Sequence, residues 1–124
     1  MPNLIKSNAL TFDDVLLEPQ YSEVKSRSLV DTSSVLVDGI RLKVPIISAN
    51  MDTVTELEMA RVMDYNGGFG IIHRFMSMED QAMEIDSFKD LGGKFIGAAI
   101  GVKEDCLERA ERCIEAGVDV LCKT

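Results

Sequence analysis

A single histidine followed by an arginine, His73-Arg74, closes the apolar run Phe69–Ile72, and this pair is the first place where chemistry could sit. Imidazole exchanges a proton near neutral pH, and guanidinium offers a planar fork that matches anionic oxygens. A plainer reading stands beside this one, in which His73 is a structural histidine and Arg74 a solvated charge. Asn50-Met51-Asp52-Thr53 is a second candidate, polar immediately after the apolar run V-P-I-I-S-A. The same residues read equally as the entry to a helix. Gly101–Glu104 and Lys123-Thr124 follow two further apolar runs in the same way. No Walker motif and no G-x-G-x-x-G is present, no Ser/His/Asp set is available, and the chain has a single histidine. Cys106, Cys113 and Cys122 have no metal-like spacing and read as small, buried apolar residues.

These positions acquire meaning from the elements that carry them. Apolar runs begin at Val44, Phe69, Phe95 and Val118, roughly 25 residues apart, with a helix-patterned segment in each gap. Strand–helix beats of this length belong to parallel α/β proteins, and to eight-fold barrels in particular. The strands are uniformly apolar, as expected where both faces of a parallel sheet are covered. In such folds the working residues lie at the C-terminal ends of strands, which is where all four candidate segments fall.

The first helix has the Thr55-x-x-Glu58 form of a capping box, an expected inward face of Met59, Val62 and Met63, and a stop at Gly67-Gly68. The second starts at Ser77, presents Met78, Ala82, Ile85 and Phe88 on one face and stops at Gly92-Gly93. The third spans about Glu104 to Ala116, with Leu107, Ala110 and Ile114 at helical spacing and Gly117 beyond its end. Residues 1–43 stand outside the repeat. They are read as a cap containing Thr11–Leu17, then a hairpin from Ser28–Val37 through Asp38-Gly39 to Ile40–Val44. The expected fold is α/β: four βα beats, the N-terminal half of a TIM (β/α)8 barrel over residues 44–124, preceded by the cap and hairpin of residues 1–43.

With 124 residues, 46% of them hydrophobic and 27% charged, the chain has the composition of one ordinary globular domain. Thirteen basic against 21 acidic residues give a net charge of −8, which argues against nucleic-acid or membrane-surface binding. No apolar run approaches a membrane span, and no secretory signal pattern is visible, so the expected location is cytoplasmic.

The segments T-F-D-D-V-L-L-E-P (Thr11–Pro19), P-I-I-S-A-N-M-D-T-V-T-E (Pro45–Glu56), G-F-G-I-I-H-R-F-M-S (Gly68–Ser77) and G-A-A-I-G-V (Gly97–Val102) together resemble the IMP dehydrogenase/GMP reductase family. That resemblance covers nearly the whole chain. It implies a TIM-barrel oxidoreductase acting on a purine nucleoside monophosphate with a nicotinamide cofactor, through a cysteine that forms a covalent adduct at purine C2. It places Asn50, Met51 and Asp52 beside the nucleotide, and His73 and Arg74 near the cofactor. It also implies a homo-oligomer, a tetramer in full-length members, and K-S-R-S-L-V-D (Lys25–Asp31) resembles the reductase pattern, in which Ser26 and Arg27 reach a neighbouring subunit's NADP.

Within the family, the uninterrupted passage from Phe88 to Phe95, together with H-R-F and G-V-K-E-D, resembles the reductase branch, which deaminates GMP to IMP with NADPH. The alternatives are an IMP dehydrogenase without its regulatory insertion, using NAD, and a non-catalytic half-barrel or interaction module. The family's nucleophilic cysteine and monovalent-cation site belong to a segment expected beyond residue 124. No catalytic residue and no metal ligand is therefore assigned here, and the chain by itself is expected to be inactive. The family's aspartate after the fourth strand is replaced by Lys123-Thr124. Four strands alone leave open sheet edges, so self-association is expected as well.

Overall fold

A computed structural model describes residues 9–124, which fall into two units, 9–30 and Asp31–Thr124. The first eight residues of the expected 1–43 segment lie outside the described part. In the first unit, Thr11 and Asp14 close a single 3-10 turn over Phe12–Asp14. The Thr11 backbone N–H donates to Asp14 Oδ2 at 2.8 Å and its hydroxyl donates to the same oxygen at 3.0 Å. These bonds hold the Asp14 carboxyl below its ordinary pKa. A second 3-10 turn, Arg27–Leu29, starts at Ser26, whose hydroxyl accepts the Ser28 N–H.

The second unit opens with an antiparallel hairpin, β1 (Ser34–Val37) and β2 (Ile40–Leu42), joined through Asp38-Gly39 as the sequence suggests. A parallel sheet follows in the order β3 (Ile47–Ser48), β4 (Phe69–Ile72), β5 (Gly97–Ile100), β6 (Val120–Lys123). Between its strands run α1 (Leu57–Tyr65), α2 (Met78–Asp90) and α3 (Cys106–Glu115). The architecture is thus mixed α/β with a four-stranded parallel sheet and three helices.

Strand alternation explains how both faces are used. Ile72, Ala98 and Leu121 face a helix-side cluster with Ala60, Ile85, Phe88, Ile96 and Cys113. Phe69, Ile71 and Val120 face the opposite cluster, built with Ile40 and Leu42 of the hairpin. Phe69 and Val120 begin their strands, so the hairpin packs against the N-terminal end of that face. At Gly70 the helix layer comes very close: a Cβ there would stand 2.7 Å from Ala60 Cα.

Three strands begin later than the apolar runs suggest; β6 starts at Val120 rather than Val118, whose N–H donates to Cys113 O at 3.0 Å. Pro45 has no N–H to donate, so regular pairing of the first run starts at Ile47 rather than Val44. In the third run, the N–H groups of Phe95 and Ile96 are taken by the Asp64 and Asp119 carboxylates (3.1 and 2.8 Å), and β5 starts at Gly97.

The helix faces need larger corrections. In α1, Met59 and Val62 are exposed, and the buried residue is Ala60, the only side chain small enough for the approach to Gly70. The Thr55-x-x-Glu58 box does not form. The Thr55 hydroxyl instead donates to Ala49 O (2.6 Å) and meets Ser48 Oγ (2.8 Å), leaving Glu56 as an N-cap whose side chain makes no capping bond. In α3, Leu107 and Ile114 are 74% and 59% exposed, while Arg109 and Cys113 turn inward. The second helix matches its expectation: Ser77 Oγ accepts the Asp80 N–H at 3.0 Å, and Ile85 and Phe88 are buried. Helix ends fall at the glycines, as at Gly67 after α1, where φ is +81°.

Candidate functional site at the C-terminal ends of the strands

All four strands run parallel, so the segments after β3, β4, β5 and β6 share one end of the sheet. The segment after β3 folds into a tight turn. Met51 O accepts the N–H groups of Val54 and Thr55 (2.9 and 3.0 Å), and the buried Thr55 hydroxyl ties the turn back to the strand end. Asn50 is half-buried, whereas Met51 and Asp52 are exposed.

His73 follows β4 and is only 2% exposed. Its Nδ1 accepts the Phe75 N–H at 3.1 Å, which leaves Nε2 to carry the proton in the neutral ring and donate it to Glu56 Oε1 at 3.0 Å. The histidine therefore joins the loops after β3 and β4. Arg74 reaches in the other direction. Its Nε donates to Thr124 Oγ1 at 3.3 Å, and its guanidinium lies 5.1 Å from the centre of the Phe75 ring. With exposed Lys103 and Lys123, Arg74 places three cations on this rim of an acidic protein. The same strand-end segments also carry the exposed carboxylates of Asp52, Glu56, Glu104 and Asp105.

Around Glu56 the electrostatics are reversed. Glu84 on α2 accepts the Leu57 N–H at 3.1 Å, and its burial, with the neighbouring Glu56 charge, pushes its carboxyl pKa up. A shallow groove of ≈ 450 Å³ lies beside α1, lined among others by Asp52, Glu56, Glu58 and Met59. Its three carboxylates make it a poor seat for a phosphate.

The structure brings His73 and Arg74 together with the turn containing Asn50, Met51 and Asp52 at one end of the sheet. Ser26 and Arg27 lie in the separate N-terminal unit, exposed, with Ser26 capping its own turn. Cys113 is fully buried and its thiol pKa is pushed up by that burial. Cys106 opens α3, and Cys122 sits within β6, both half-buried. Among the described residues no group of His, Cys, Asp or Glu has the arrangement of a metal site. Among the described residues no helix is long and apolar enough to cross a membrane.

Sequence reasoning missed Glu56, Gln81 and Arg109. Gln81 is fully buried; its amide nitrogen donates to His73 O and Ala99 O, both at 3.0 Å. Arg109 donates to Gln81 Oε1 (3.0 Å) and to Met76 O (3.2 Å). The available signal was phase: Gln81 lies four residues before Ile85, and Arg109 four before Cys113, on the buried face of each helix.

A family model described as the IMP dehydrogenase / GMP reductase domain matches residues 9–123. The chain belongs to this family. Among its relatives are the inosine-5'-monophosphate dehydrogenases of Nitrosopumilus maritimus, 47% identical over 77% of the chain, and of Bacillus subtilis, 55% identical over 64%. The GMP reductase of Leishmania donovani is 51% identical, also over 64% of the chain. These matches span 20%, 16% and 16% of the respective relatives, so the chain corresponds to about a fifth of their length or less. As a member of the IMP dehydrogenase / GMP reductase domain family, the chain is part of a purine-nucleotide oxidoreductase group, and the motifs that carried the resemblance lie within the matched span.

Proposed function

We propose that this chain forms the first half of a TIM barrel and supplies part of a purine-nucleotide and nicotinamide-cofactor surface. The observation that carries this reading is the shared strand-end rim, where His73 is tied to Glu56 and Arg74 to Thr124. Asn50, Met51 and Asp52 contribute the nucleotide side, and His73 and Arg74 the cofactor side. The residues present suit a dinucleotide: Arg74, Lys103 and Lys123 are exposed or half-exposed cations able to meet its phosphates. That cofactor supplies the hydride chemistry; this chain's residues bind and orient. Ser26 and Arg27 reach the cofactor of a second copy in a homo-oligomer, the tetramer of the full-length family.

Reduction of GMP with NADPH is the favoured reaction. Its support is the direct passage from α2, ending at Asp90, to β5, beginning at Gly97. IMP dehydrogenation with NAD is the second reading, favoured by the names of the dehydrogenase relatives. In either case the chain binds and does not turn over by itself, because Cys113 is sealed in the core and neither Cys106 nor Cys122 stands in the family's nucleophile loop.

The test is hydrogen-exchange protection of residues 50–53 and 73–75 by GMP or IMP, each with NADPH or NAD. Protection by GMP with NADPH supports the reductase reading, and protection by IMP with NAD the dehydrogenase. No protection of either segment at millimolar ligand removes the binding proposal. Turnover that Cys106→Ala or Cys122→Ala abolishes would overturn the non-catalytic reading.

A further inference from the structure

The strongest polar device in the molecule outside the rim lies directly beneath it. Gln81 has no exposed surface, yet it sits in an otherwise apolar layer between α2 and the sheet. Its amide group joins two strands and a loop. The nitrogen donates to His73 O and Ala99 O at 3.0 Å, with Ile72 O further off at 3.4 Å. The oxygen accepts Arg109 Nη1 at 3.0 Å and faces the Cys113 thiol at 3.6 Å. Arg109, itself only 9% exposed, sends Nη2 to Met76 O at 3.2 Å, with the exposed Asp105 carboxylate 4.0 Å away.

The connection therefore runs from α3 through Arg109 to both the far end of the His73–Met76 loop and Gln81, and from Gln81 to the near end of that loop. Both loop ends are held by one guanidinium and one amide. A simple core needs neither group. A buried amide and a buried cation are costly unless each bond is made, so their presence is explained by what they fix. What they fix is the loop that carries Arg74 on the rim.

We propose that Gln81 and Arg109 are positioning residues that hold the His73–Met76 loop, and through it Arg74, in the arrangement that receives the cofactor. The assignment rests on the proposed binding function for its ligand, and on the hydrogen bonds alone for its geometry. Arg109 acts as a two-pronged strut, a task a lysine cannot perform because its single ammonium cannot span Gln81 Oε1 and Met76 O in the same fixed fork.

The experiment compares the wild-type 124-residue chain with Arg109→Lys and Gln81→Met by peptide-resolved hydrogen exchange, with NADPH affinity measured in parallel. The expected result is exchange faster by on the order of tenfold in residues 73–77, with the hairpin residues 34–42 unchanged, because local opening is decoupled from global unfolding. NADPH binding weakens only by the inverse of the remaining competent fraction, so a loop that opens tenfold more often yet stays mostly closed loses far less than tenfold in affinity. Equal acceleration in the hairpin shows a merely structural role and overturns the proposal, as does unchanged exchange at residues 73–77. If Gln81→Met fails to fold, the milder Arg109→Lys decides. If the wild type binds no nucleotide, the function proposed above falls, and the exchange comparison still decides whether this pair positions the loop.

Discussion

The carboxylate of Glu84, in the middle of α2, accepts the backbone N–H of Leu57, the first residue of α1, at 3.1 Å. One helix is thus capped by the side chain of the next, across 27 residues of sequence. The local candidate for that task, Thr55, is already bound to Ser48 and Ala49. The arrangement fixes the start of α1, and with it Glu56, which holds His73. The cap therefore reaches the candidate site through two hydrogen bonds.

Glu84 gives a pH dependence with a definite sign. Burial, then the Glu56 charge, raises its folded-state pKa above the ordinary 4.5. Between the two values the folded state binds more protons than the unfolded state, so this group's contribution to stability falls as pH rises upward from 4.5. Glu84→Gln keeps an oxygen for Leu57 and removes the charge; urea unfolding at several pH values is expected to show that this part of the slope disappears. Glu84→Ala loses the cap itself and is expected to cost about 1 kcal/mol. An unaltered pH slope in Glu84→Gln would refute the assignment.

Gly70 and Ala60 are expected to behave as one unit. Gly70→Ala places a methyl group against Ala60 Cα, at 2.7 Å in the present geometry, and should destabilise by about 1–3 kcal/mol. Adding Ala60→Gly should recover part of that loss in a double-mutant cycle, since the two positions share one contact. Strict additivity of the two changes would contradict it.

His73→Ala is expected to release the Phe75 N–H and free the Glu56 carboxylate from its buried partner. The loss of two bonds from a buried ring corresponds to about 1–3 kcal/mol. Amide exchange at Phe75 should rise first, and thermal unfolding should shift downward. Unchanged protection at Phe75 would show that His73 Nδ1 is not its acceptor.

The apolar surface predicts association. Ile46, Ile47, Leu107 and Ile114 are all exposed, and among the described residues β6 has β5 on one side of the sheet order and no strand on the other. Sedimentation of the 124-residue chain at micromolar concentration is expected to show oligomers, reduced by Leu107→Glu with Ile114→Lys. A monodisperse monomer at that concentration would contradict this expectation.

The sequence by itself determined the order of elements. Apolar runs of strand length, glycine stops and the Asp38-Gly39 turn are local signals, and each reports the conformation of its own few residues. The same local information placed His73, Arg74 and Asn50–Asp52 after strands, and parallel pairing then carries them to one end. The family was legible for a related reason, since its motifs are short and continuous.

Only the tertiary structure decided which helix residues face inward. Helical periodicity ranks faces by hydrophobicity, and in α3 this favours Leu107 and Ile114. The sheet instead receives Arg109 and Cys113, because Gln81 and the Met76 carbonyl supply hydrogen bonds that make a buried guanidinium affordable. In α1, space against Gly70 selected Ala60 over larger apolar residues. The pairs Glu84–Leu57, Glu56–His73 and Arg74–Thr124 join residues 27, 17 and 50 apart. Such contacts exist only once the chain has folded, and they are what give the candidate site its geometry.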